Sequence, residues 1–444
     1  MMSISDIDDF FRRADNDIRV NTSYPLEPVW FADYKEKMDL MRDVRHLSYY
    51  IHIPFCRSLC KYCEYTRFLS GNAQLESHYI DLLRRQVDIF LAAHKIETVR
   101  GLDVGGGTPT ALSIDSFRRL MEIRQYLVSG VAVDENFESS IEFSFDTIDA
   151  SKIELIAEAG FSRVSSGLQA IGPWFDKEFG CKYAGIERIE AIRDMFHECG
   201  VRKLNLDLMY GFNGQPISSV SSVLQVLARI MPEQVTLYEM RYNMRTLDHS
   251  SVSREGNFRL YTALFEGLLR LGYHGRFGQN TLTLNGGIGV SSYIASRMTD
   301  ALPYKGFGAS AQSMSDVGIS YNNLKGAKDL VMPDIDEISE CDIYKLPGEE
   351  LAAKYVSIAL YDGRFDLKTV SRLLATDAYE RFRNELDYLT ARHLIEVDET
   401  GIVVLTEQGV RYSGAIGSLF GPNAEGGDSI DENYGYIGHP RTPC

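Results

Sequence analysis

The sequence predicts an α/β fold, a partial (β/α)6 TIM-like barrel followed by a small winged-helix-like domain at the C-terminus. Short apolar runs of strand length alternate with stretches of helical period at roughly 30-residue spacing, which is typical of a parallel sheet with right-handed crossovers. Cysteines, glycines and carboxylates follow these apolar runs, at the strand ends where active sites of such sheets lie. Near the C-terminus, helical stretches precede a two-stranded hairpin pattern.

Six apolar runs are the predicted strands of the barrel, which we place at residues 46–300 after an N-terminal extension at 1–45. The strands are predicted at 49–53, 102–104, 139–145, 163–168, 204–210 and 235–240. After the first strand, apolar residues recur at i, i+4 and i+7 from Leu75 to Leu91, which indicates a helix with one core-facing side. Further helices are predicted at 151–159, 186–198 and 218–230.

The chain beyond the barrel divides by composition into three segments. Residues 301–346 mix Gly, Ser and Asp and predict a connector, residues 347–415 predict the small domain, and residues 416–444 predict a disordered tail. Within the small domain an Asp/Gly turn at 398–401 predicts a hairpin, and Thr406 is a candidate helix N-cap. A packing role is favoured over DNA binding, because nothing basic clusters in this domain.

The composition is that of an ordinary globular protein with an acidic surface. Hydrophobic residues make up 44% of the chain and charged residues 24%, and the formal net charge is −16. Because nucleic acids and anionic membranes bind basic surfaces, we expect neither as a partner. The sequence shows no run of about 18 apolar residues that would span a membrane, and its acidic beginning is unlike a signal peptide. We therefore expect a cytoplasmic protein in a reducing compartment.

Three cysteines, Cys56, Cys60 and Cys63, lie in one short loop after the first predicted strand. Three thiolates are incomplete for structural zinc, which takes four protein ligands. They suit a 4Fe–4S cluster in which one iron lacks a protein ligand, and that open position is where chemistry can occur. The alternative is a zinc site completed by a remote ligand such as His52 or Cys181.

A glycine run and two carboxylates occupy the ends of later strands. Gly105, Gly106 and Gly107 follow the second strand, and successive glycines let the backbone approach a ligand closely; a plain tight turn is the alternative. Glu142 ends the third strand, where an exposed acid without a function is the alternative. Asp207 lies within an apolar strand, and a buried carboxylate there needs a partner.

The spacing C-x3-C-x2-C, with Tyr62 before the third cysteine, resembles that of radical S-adenosylmethionine (SAM) enzymes. In that superfamily SAM binds the open iron, and one electron cleaves it to methionine and a 5′-deoxyadenosyl radical. The motifs are similar, more narrowly, to those of the oxygen-independent coproporphyrinogen III oxidase family, in the same order over roughly residues 20–415. They are YYIHIPFC at 49–56, GGGTPT at 105–110, IE at 141–142, RVSSGLQ at 163–169, NLDLMYG at 205–211 and GFGASA at 306–311.

The resemblance implies a barrel of the radical SAM type and roles for particular residues. The three loop cysteines are implied as ligands of the 4Fe–4S cluster. The cluster-bound SAM is implied to contact Tyr50, Gly106 and Glu142. A second SAM beside the first is implied to be held by a further set of residues, in which Met209 is an apolar wall: Gln169, Asp207, Tyr62, Gly107, Thr108 and Met209.

Three positions depart from the family. Tyr65 stands where coproporphyrinogen-oxidising members place another cysteine, and Lys182 lies near the position of an arginine in the second cofactor site. Lysine keeps the charge of arginine but not its planar bidentate geometry. Met240 and Arg241 replace smaller or less charged residues, and Arg241 is a candidate to bind a substrate carboxylate or phosphate; a surface ion pair is its alternative.

Three functions are compatible with the resemblance. Because of Tyr65 and the altered pocket, the sequence favours an enzyme that uses the second SAM for C-methylation or cyclopropanation of a small molecule in a biosynthetic pathway. The alternative is oxidative decarboxylation of coproporphyrinogen III to protoporphyrinogen IX. A haem-binding chaperone ranks third, since that class has a much shorter lead before the cysteines.

The cluster also implies a protein partner, because it must be reduced by a flavodoxin- or ferredoxin-like electron donor. Such donors are usually acidic, and the net charge of this chain would repel them. Arg57, Lys61 and Arg67 lie in or just after the cysteine loop and are a candidate positive patch for docking. Ordinary solvated side chains are the alternative.

Overall fold

The computed structural model describes residues 2–13, 34–60, 63, 65–172, 175, 184–240, 253–325 and 337–421. The strands of this part of the chain are β1 (His46–Ile53), β2 (Phe55–Cys56), β3 (Phe68–Leu69), β4 (Thr98–Gly106), β5 (Ala132–Phe143), β6 (Arg163–Gln169), β7 (Lys203–Tyr210), β8 (Gln234–Glu239), β9 (Thr281–Thr283), β10 (Tyr304–Phe307), β11 (Gln312–Ser315), β12 (Gly318–Lys325), β13 (Glu337–Lys345), β14 (Arg364–Asp366), β15 (Ile395–Val397) and β16 (Ile402–Leu405).

Eleven strands form one sheet in the order β13-β12-β11-β10-β1-β4-β5-β6-β7-β8-β9. The six strands predicted for the barrel, β1 and β4 to β8, are parallel neighbours in that order. Helices cross between them, and the predicted apolar stripe after β1 lies in one of these: Ala73–Ala93, Ile114–Val128, Ala150–Glu158, Ile186–Glu198, Ser219–Ile230 and Arg254–Arg270. A partial barrel with six strand–helix units is therefore confirmed.

The helices are held to the sheet by alternating residues that point outward from the strands. Ile51, Val104, Ile141, Val164 and Leu206 are fully or almost fully buried in one apolar cluster with the helices. Such burial is the main favourable term in folding, because it removes apolar surface from water. The other face of the same strands lines the inside of the barrel.

The inside of the barrel is polar. The Arg163 guanidinium on β6 donates from Nε to Gln234 Oε1 on β8 at 2.8 Å, across the intervening β7, and from Nη1 to Ser140 Oγ on β5 at 2.9 Å. Thr236 Oγ1 donates to Asn205 Oδ1 at 2.9 Å. Since buried polar groups are costly unless hydrogen-bonded, this network satisfies an interior that apolar residues do not fill.

The helix Ser292–Asp300 fills the inside of the barrel at the end away from the cysteine loop. Its N-cap, Ser291, donates to Asp103 Oδ2 on β4 at 2.6 Å, and Ser48 on β1 is 3.1 Å from Ser296. A Cβ atom on Gly101 of β4 would lie 2.3 Å from the backbone nitrogen of Tyr293, so only glycine lets the helix come this close.

Within residues 301–346, predicted to be a connector with short elements, the four strands β10 to β13 extend the main sheet, so this segment is part of the sheet where the structure describes it. β10 pairs in parallel with β1, and β11, β12 and β13 follow as antiparallel neighbours. Their Gly and Ser residues do not read as strands in a sequence pattern, but they allow close packing: a Cβ on Gly306 would lie 2.3 Å from the carbonyl oxygen of Gln312.

The C-terminal region forms a second apolar core around helices and the three-stranded sheet β14-β16-β15. Its helices are Gly348–Ala359, Leu367–Leu374, Ala378–Arg381, Arg383–Ala391, Glu407–Val410 and Ser413–Leu419. The predicted hairpin is β15–β16, whose turn is closed by Asp398 Oδ1, and Thr406 caps the next helix by accepting from Gly409 N at 3.0 Å. The predicted tail begins within a helix, and its part from residue 422 onward lies outside the described residues.

Two pieces of the predicted N-terminal extension contact later parts of the chain. The helix Ile4–Arg13 buries Ile7 and Phe10 in the C-terminal core. Lys35 bridges to Tyr344 at β13, and its ammonium lies 2.6 Å from Asp342 Oδ1. No helix within the described ranges is long and apolar enough to cross a membrane.

Candidate functional site

The cysteine loop leaves the carboxyl end of β1 and is closed by a short strand pair. β2 and β3 are parallel, Phe68 N donates to Pro54 O at 2.7 Å, and Ser70 N donates to Cys56 O at 2.8 Å. Cys63 N donates to Cys60 O at 3.3 Å. These backbone bonds gather the three cysteines at one end of a single cavity.

Arg67 holds the loop together from the inside. Its Nη1 donates to Cys63 O at 2.5 Å and its Nη2 to Cys60 O at 2.6 Å, so one planar guanidinium binds the carbonyls of two predicted cluster ligands. A rigid fork of donors suits two fixed acceptors. Both terminal nitrogens of Arg67 are thus used within the loop, and because carbonyls are neutral acceptors, its place in the candidate positive patch stays a prediction. Lys61 lies outside the described residues.

The glycine run presses directly against the cysteine loop. Gly107 N donates to Ile53 O at 2.8 Å, and Thr108 N donates to Phe55 O at 2.7 Å. A Cβ on Gly107 would lie 2.9 Å from Cys56 Sγ, and one on Gly106 would lie 2.5 Å from the His52 ring. Thr108 Oγ1 donates to Cys56 Sγ at 3.8 Å. The run is therefore more than a turn: its glycines are required by close approach to the first cysteine.

His52 is unsuited to complete a zinc site. Its Nε2 is 3.1 Å from Thr66 O and so carries the proton, and its Nδ1 is 3.4 Å from the Tyr50 hydroxyl. Burial lowers the pKa of His52 to about 4, which keeps the imidazole neutral. Both ring nitrogens face protein partners. Cys181, the other possible ligand, lies outside the described residues.

Three thiols at one end of a cavity, with a glycine backbone in place of side chains beside them, fit a 4Fe–4S cluster with one open iron. Burial raises the pKa of the Cys56 thiol to about 11 in the apo-protein. Coordination to iron would hold this sulfur as the thiolate.

Glu142 lies at the end of β5, beside the glycine run. Its Oε2 accepts from Gly106 N at 3.1 Å, and a Cβ on Gly105 would lie 2.7 Å from the carboxylate. The carboxylate faces the cavity, whose protein walls still withdraw it from bulk water. This desolvation, with the nearby charge of Asp207, raises the pKa of Glu142 to about 7. A carboxylate of this kind is suited to bind a cation or hydroxyl groups brought by a ligand.

Asp207 on β7 faces the same cavity and is held by two neighbours. Asn205 Nδ2 donates to its Oδ1 at 2.7 Å, and Ser165 Oγ donates to its Oδ2 at 3.2 Å. Burial raises the pKa of Asp207 to about 6, although the Arg163 charge acts in the opposite direction. The partner that the sequence argument demanded is thus the polar network inside the barrel.

Gln169 ends β6 in an unusual conformation. Its φ is +59°, a left-handed backbone that non-glycine residues rarely adopt, and the register with β7 shifts just before it. The side chain folds back over Gly167, where a Cβ would lie 1.9 Å from Gln169 Nε2. Such strain is costly and clusters at functional sites, which agrees with a ligand-facing amide at this position.

Tyr50 is placed differently from the other predicted cofactor residues. The other predicted cofactor residues that the structure describes line the cavity. Tyr50 instead stacks on Tyr293 of the helix Ser292–Asp300, with ring centroids 5.7 Å apart and planes at 20°. Burial raises the pKa of the Tyr50 hydroxyl well above its usual value. Tyr50 thus joins the residues behind the site to the helix inside the barrel.

The cavity has a volume of about 1070 Å³ and gathers most of the predicted site. It is lined by these residues of the prediction: Cys56, Cys60, Cys63, Gly106, Gly107, Thr108, Glu142, Gln169, Asp207 and Met209. Tyr65, which replaces the family's extra cysteine, also lines it. Tyr62, Lys182 and Arg241 lie outside the described residues, so their roles stay predictions.

The sequence analysis missed one whole wall of the cavity. Arg254, Asn257 and Tyr261 of the helix Arg254–Arg270 line it, together with Tyr361 and Arg411 of the C-terminal region. The spacing i, i+3, i+7 on that helix is a signal for a shared face, but it does not tell which face meets the cavity. The C-terminal region therefore contributes residues to the cavity wall, beyond the packing role that was expected.

A comparison with protein-family models finds one superfamily that this chain resembles. Residues 50–227 match the model of the radical SAM superfamily. This segment contains the three cysteines, and the match agrees with what their spacing indicated.

Individual relatives point to a narrower group of proteins than the superfamily match does. The chain is 30% identical over 228 residues to the oxygen-independent coproporphyrinogen III oxidase of Paracoccus denitrificans, covering 49% of each chain. It is 24% identical over 213 residues to the heme chaperone HemW of Bacillus subtilis, covering 47% of this chain and 54% of the relative. The chain thus spans about half the length of these relatives, and the predicted resemblance to the coproporphyrinogen oxidase family is confirmed.

The fold of this chain is similar to that of a solved structure. Coproporphyrinogen III oxidase (HemN) from Escherichia coli matches with a TM-score of 0.74 at 21% identity, over 92% of this chain and 99% of that one. This match confirms the predicted fold class, including the radical SAM type of barrel.

Replacing Arg67 by alanine should loosen the cysteine loop, because two carbonyls lose a charged donor worth about 1.5–3 kcal/mol per hydrogen bond. We expect iron loss to a chelator to become at least about tenfold faster than in the unaltered protein. Iron content and the visible absorbance of anaerobically reconstituted protein measure this. Arg57→Ala, which removes an exposed guanidinium bonded to Asp146 O, is the matched control. Equal iron retention in Arg67→Ala and the control would contradict the bracing role.

Proposed function

We propose that this chain is a HemN-like radical SAM enzyme whose cluster is held by Cys56, Cys60 and Cys63. When bound there, the cluster and SAM would supply a 5′-deoxyadenosyl radical that removes a hydrogen atom from the substrate. The observation that carries the proposal is one cavity at the carboxyl ends of parallel strands, in which the cysteine loop, the glycine run and Glu142 meet.

The protein residues have separate tasks in this proposal. Gly106 and Gly107 leave room beside the first cysteine for the methionyl part of SAM. Glu142 receives its ribose hydroxyls or its ammonium group, and an approaching cation would shift that carboxyl, whose pKa is about 7, toward the ionised form. The C-terminal region lines part of the cavity, which would limit the access of water to a reactive intermediate.

For the reaction, we propose oxidative decarboxylation of a porphyrinogen of the coproporphyrinogen III type. The relatives support it, since several are coproporphyrinogen III oxidases. They give no support to methyl or methylene transfer, which the sequence analysis had favoured because of Tyr65 and the altered pocket. HemW-like haem binding remains a second candidate, because a relative of similar likeness is a heme chaperone.

One anaerobic incubation tests this proposal. Reconstituted, reduced protein is mixed with SAM and coproporphyrinogen III, and the products are read by mass. Loss of carbon dioxide with formation of 5′-deoxyadenosine is the expected result. A gain of one carbon would instead favour carbon transfer, and haem binding without any conversion would favour the chaperone; either outcome overturns the proposed reaction.

We also propose that a second SAM binds beside the first, held by Gln169 and Asp207 with Met209 as an apolar wall. The support is the placement of these three side chains in the same cavity as the cysteines. Asp207 would attract the positive sulfonium of SAM. Tyr62, Gly107 and Thr108 belong to this second site by resemblance, as does Lys182.

The second site should depend on pH through Asp207. Its carboxyl, with a pKa of about 6, is ionised above that pH and protonated below it, so affinity for cationic SAM should fall as pH drops through 6. Equilibrium dialysis with SAM is expected to show two molecules per chain, and Asp207→Asn about one, without the fall in second-site binding near pH 6. Asp146→Asn, an exposed carboxylate on the same cavity, is the control. One bound SAM in the unaltered protein would rule the second site out.

An acidic flavodoxin- or ferredoxin-like donor is the proposed electron source. Arg57 supports it: its side chain is 65% exposed beside the cysteine loop. Arg57→Glu should slow flavodoxin-driven turnover severalfold more than dithionite-driven turnover, and added salt should shrink the difference. Arg118→Glu, on an outer helix, serves as the control. Equal losses with both reductants would place the role of Arg57 in the loop and not in docking.

A further inference from the structure

The loop at residues 306–311 is a motif of the sequence to which the proposed function gives no task. It follows β10, which pairs in parallel with β1, so it lies at the same end of the sheet as the cysteine loop. Gly308 has a φ of +90°, and a Cβ on it would meet the carbonyl oxygen of His52 at the end of β1. The buried Tyr79 hydroxyl donates to that same oxygen at 2.8 Å and accepts from Ala309 N at 2.9 Å. The loop is therefore packed directly on the strand that leads into the cysteines.

Asn322 of β12 holds this loop in one conformation. Its side chain is fully buried, and its Nδ2 donates to Gly306 O at 3.0 Å and to Gly308 O at 2.9 Å. Its backbone accepts from Ser310 N at 2.7 Å and donates to Ala311 O at 3.0 Å. Four hydrogen bonds to one buried residue leave the loop little freedom to shift, because buried polar groups are costly when their partners are lost.

Ser310 has a strained backbone within this loop. Its φ is +59°, a conformation that is costly for a residue with a side chain and easy for glycine. Its Oγ accepts from Thr66 Oγ1 at 2.9 Å. Glycine would suit the backbone better, but it has no hydroxyl group to accept this hydrogen bond. The contact with Thr66 thus gives a physical reason for a serine in a position that favours glycine.

Thr66 connects this contact to the cysteine loop. Its carbonyl oxygen accepts from His52 Nε2 at 3.1 Å, so Thr66 is held through both its side chain and its backbone. The next residue, Arg67, donates to Cys60 O at 2.6 Å and to Cys63 O at 2.5 Å. A shift of Thr66 would therefore move the guanidinium that joins two of the predicted cluster ligands.

We propose that Ser310 and Thr66 are positioning residues, which fix the return of the cysteine loop and, through Arg67, the place of Cys60 and Cys63. The inference rests on the proposed 4Fe–4S cluster and deepens it, because it assigns part of the support of the cluster to a loop 244 residues further along the chain. The two hydroxyl groups act on the backbone that carries the ligands and bind no cofactor themselves. A hydrogen bond between neutral groups contributes modestly, so its loss should loosen the loop without unfolding the protein.

The variant Ser310→Gly separates this role from plain stability. Glycine relieves the strained backbone while it removes the hydroxyl group, so the unfolding temperature of the apo-protein should not fall. Iron loss from reconstituted protein to a chelator should nevertheless become about fivefold faster, the factor that corresponds to one hydrogen bond between neutral groups. Thr66→Val removes the other hydroxyl group and should speed iron loss by a similar factor.

The same two substitutions form a double-mutant cycle. If the two hydroxyl groups act only through each other, the double variant should lose iron no faster than the faster single variant. A second measurement uses the apo-protein and needs no cluster. The amides of Phe68 and Ser70 donate to Pro54 O and Cys56 O, and their hydrogen exchange should be faster in all three variants.

Two controls match these substitutions. Ala375 also has a positive φ, +55°, but lies in the C-terminal region, so Ala375→Gly relieves a similar strain away from the cysteines. Thr299→Val removes a hydroxyl group that donates to Ala295 O within the helix Ser292–Asp300. Both controls should retain iron and protect the two amides as the unaltered protein does.

The outcomes distinguish this inference from the proposed function. Iron loss and amide exchange equal to those of the controls, or single effects that multiply in the double variant, would overturn the positioning role even if the cluster forms. A lower unfolding temperature of Ser310→Gly would show a structural role and would overturn it as well. Protein that takes up no iron would overturn the proposed function, and amide exchange in the apo-protein would then decide the positioning role alone.

Discussion

The site depends on the contact between the glycine run and the cysteine loop. The backbone amides of Gly107 and Thr108 donate to carbonyls of residues 53 and 55, and these two bonds join the end of β4 to the loop that leaves β1. Side chains on the glycines would push the loop away. The contact therefore sets where the first cysteine lies relative to the parallel strands, and with it the distance from the cysteines to Glu142 and Asp207.

The polar inside of the barrel is the second constraint. Arg163 links three strands through Ser140 and Gln234, and a second set of hydrogen bonds joins Thr236 and Asn205 to Asp207. An apolar filling would leave Asp207 buried without partners, which costs far more than the network does. The interior is thus a support for one carboxylate that lines the cavity. Burial raises the pKa of Asp207, while the Arg163 charge and the hydrogen bonds from Asn205 and Ser165 act to lower it and hold its orientation.

Much of this was predictable from sequence, and the exceptions have physical reasons. The strands, the cysteine loop and the strand-end carboxylates follow from periodicity and from the geometry of parallel sheets. The strands β10 to β13 were missed because their Gly, Ser and Asn residues are selected by close packing, as at Gly306, and not by alternation. The role of Arg67 was missed because sequence shows a charge but not the two carbonyls that it binds.

The wall contributed by the C-terminal region could not be predicted from the sequence for another reason: contacts between distant parts of a chain leave no local sequence pattern. Tyr361 and Arg411 look like ordinary residues of a small domain, and only the fold brings them over the barrel.

The helix Ile4–Arg13 has a consequence for the order of events during synthesis. Tyr388 donates to Asp8 across a sequence separation of 380 residues, so the helix Ile4–Arg13 can make this contact only after residue 388 has been synthesised. Until then the C-terminal core is incomplete and the cavity lacks one wall. Contacts of such long range form late and slowly. The three cysteines are thus synthesised long before Tyr361 and Arg411, which line the same cavity.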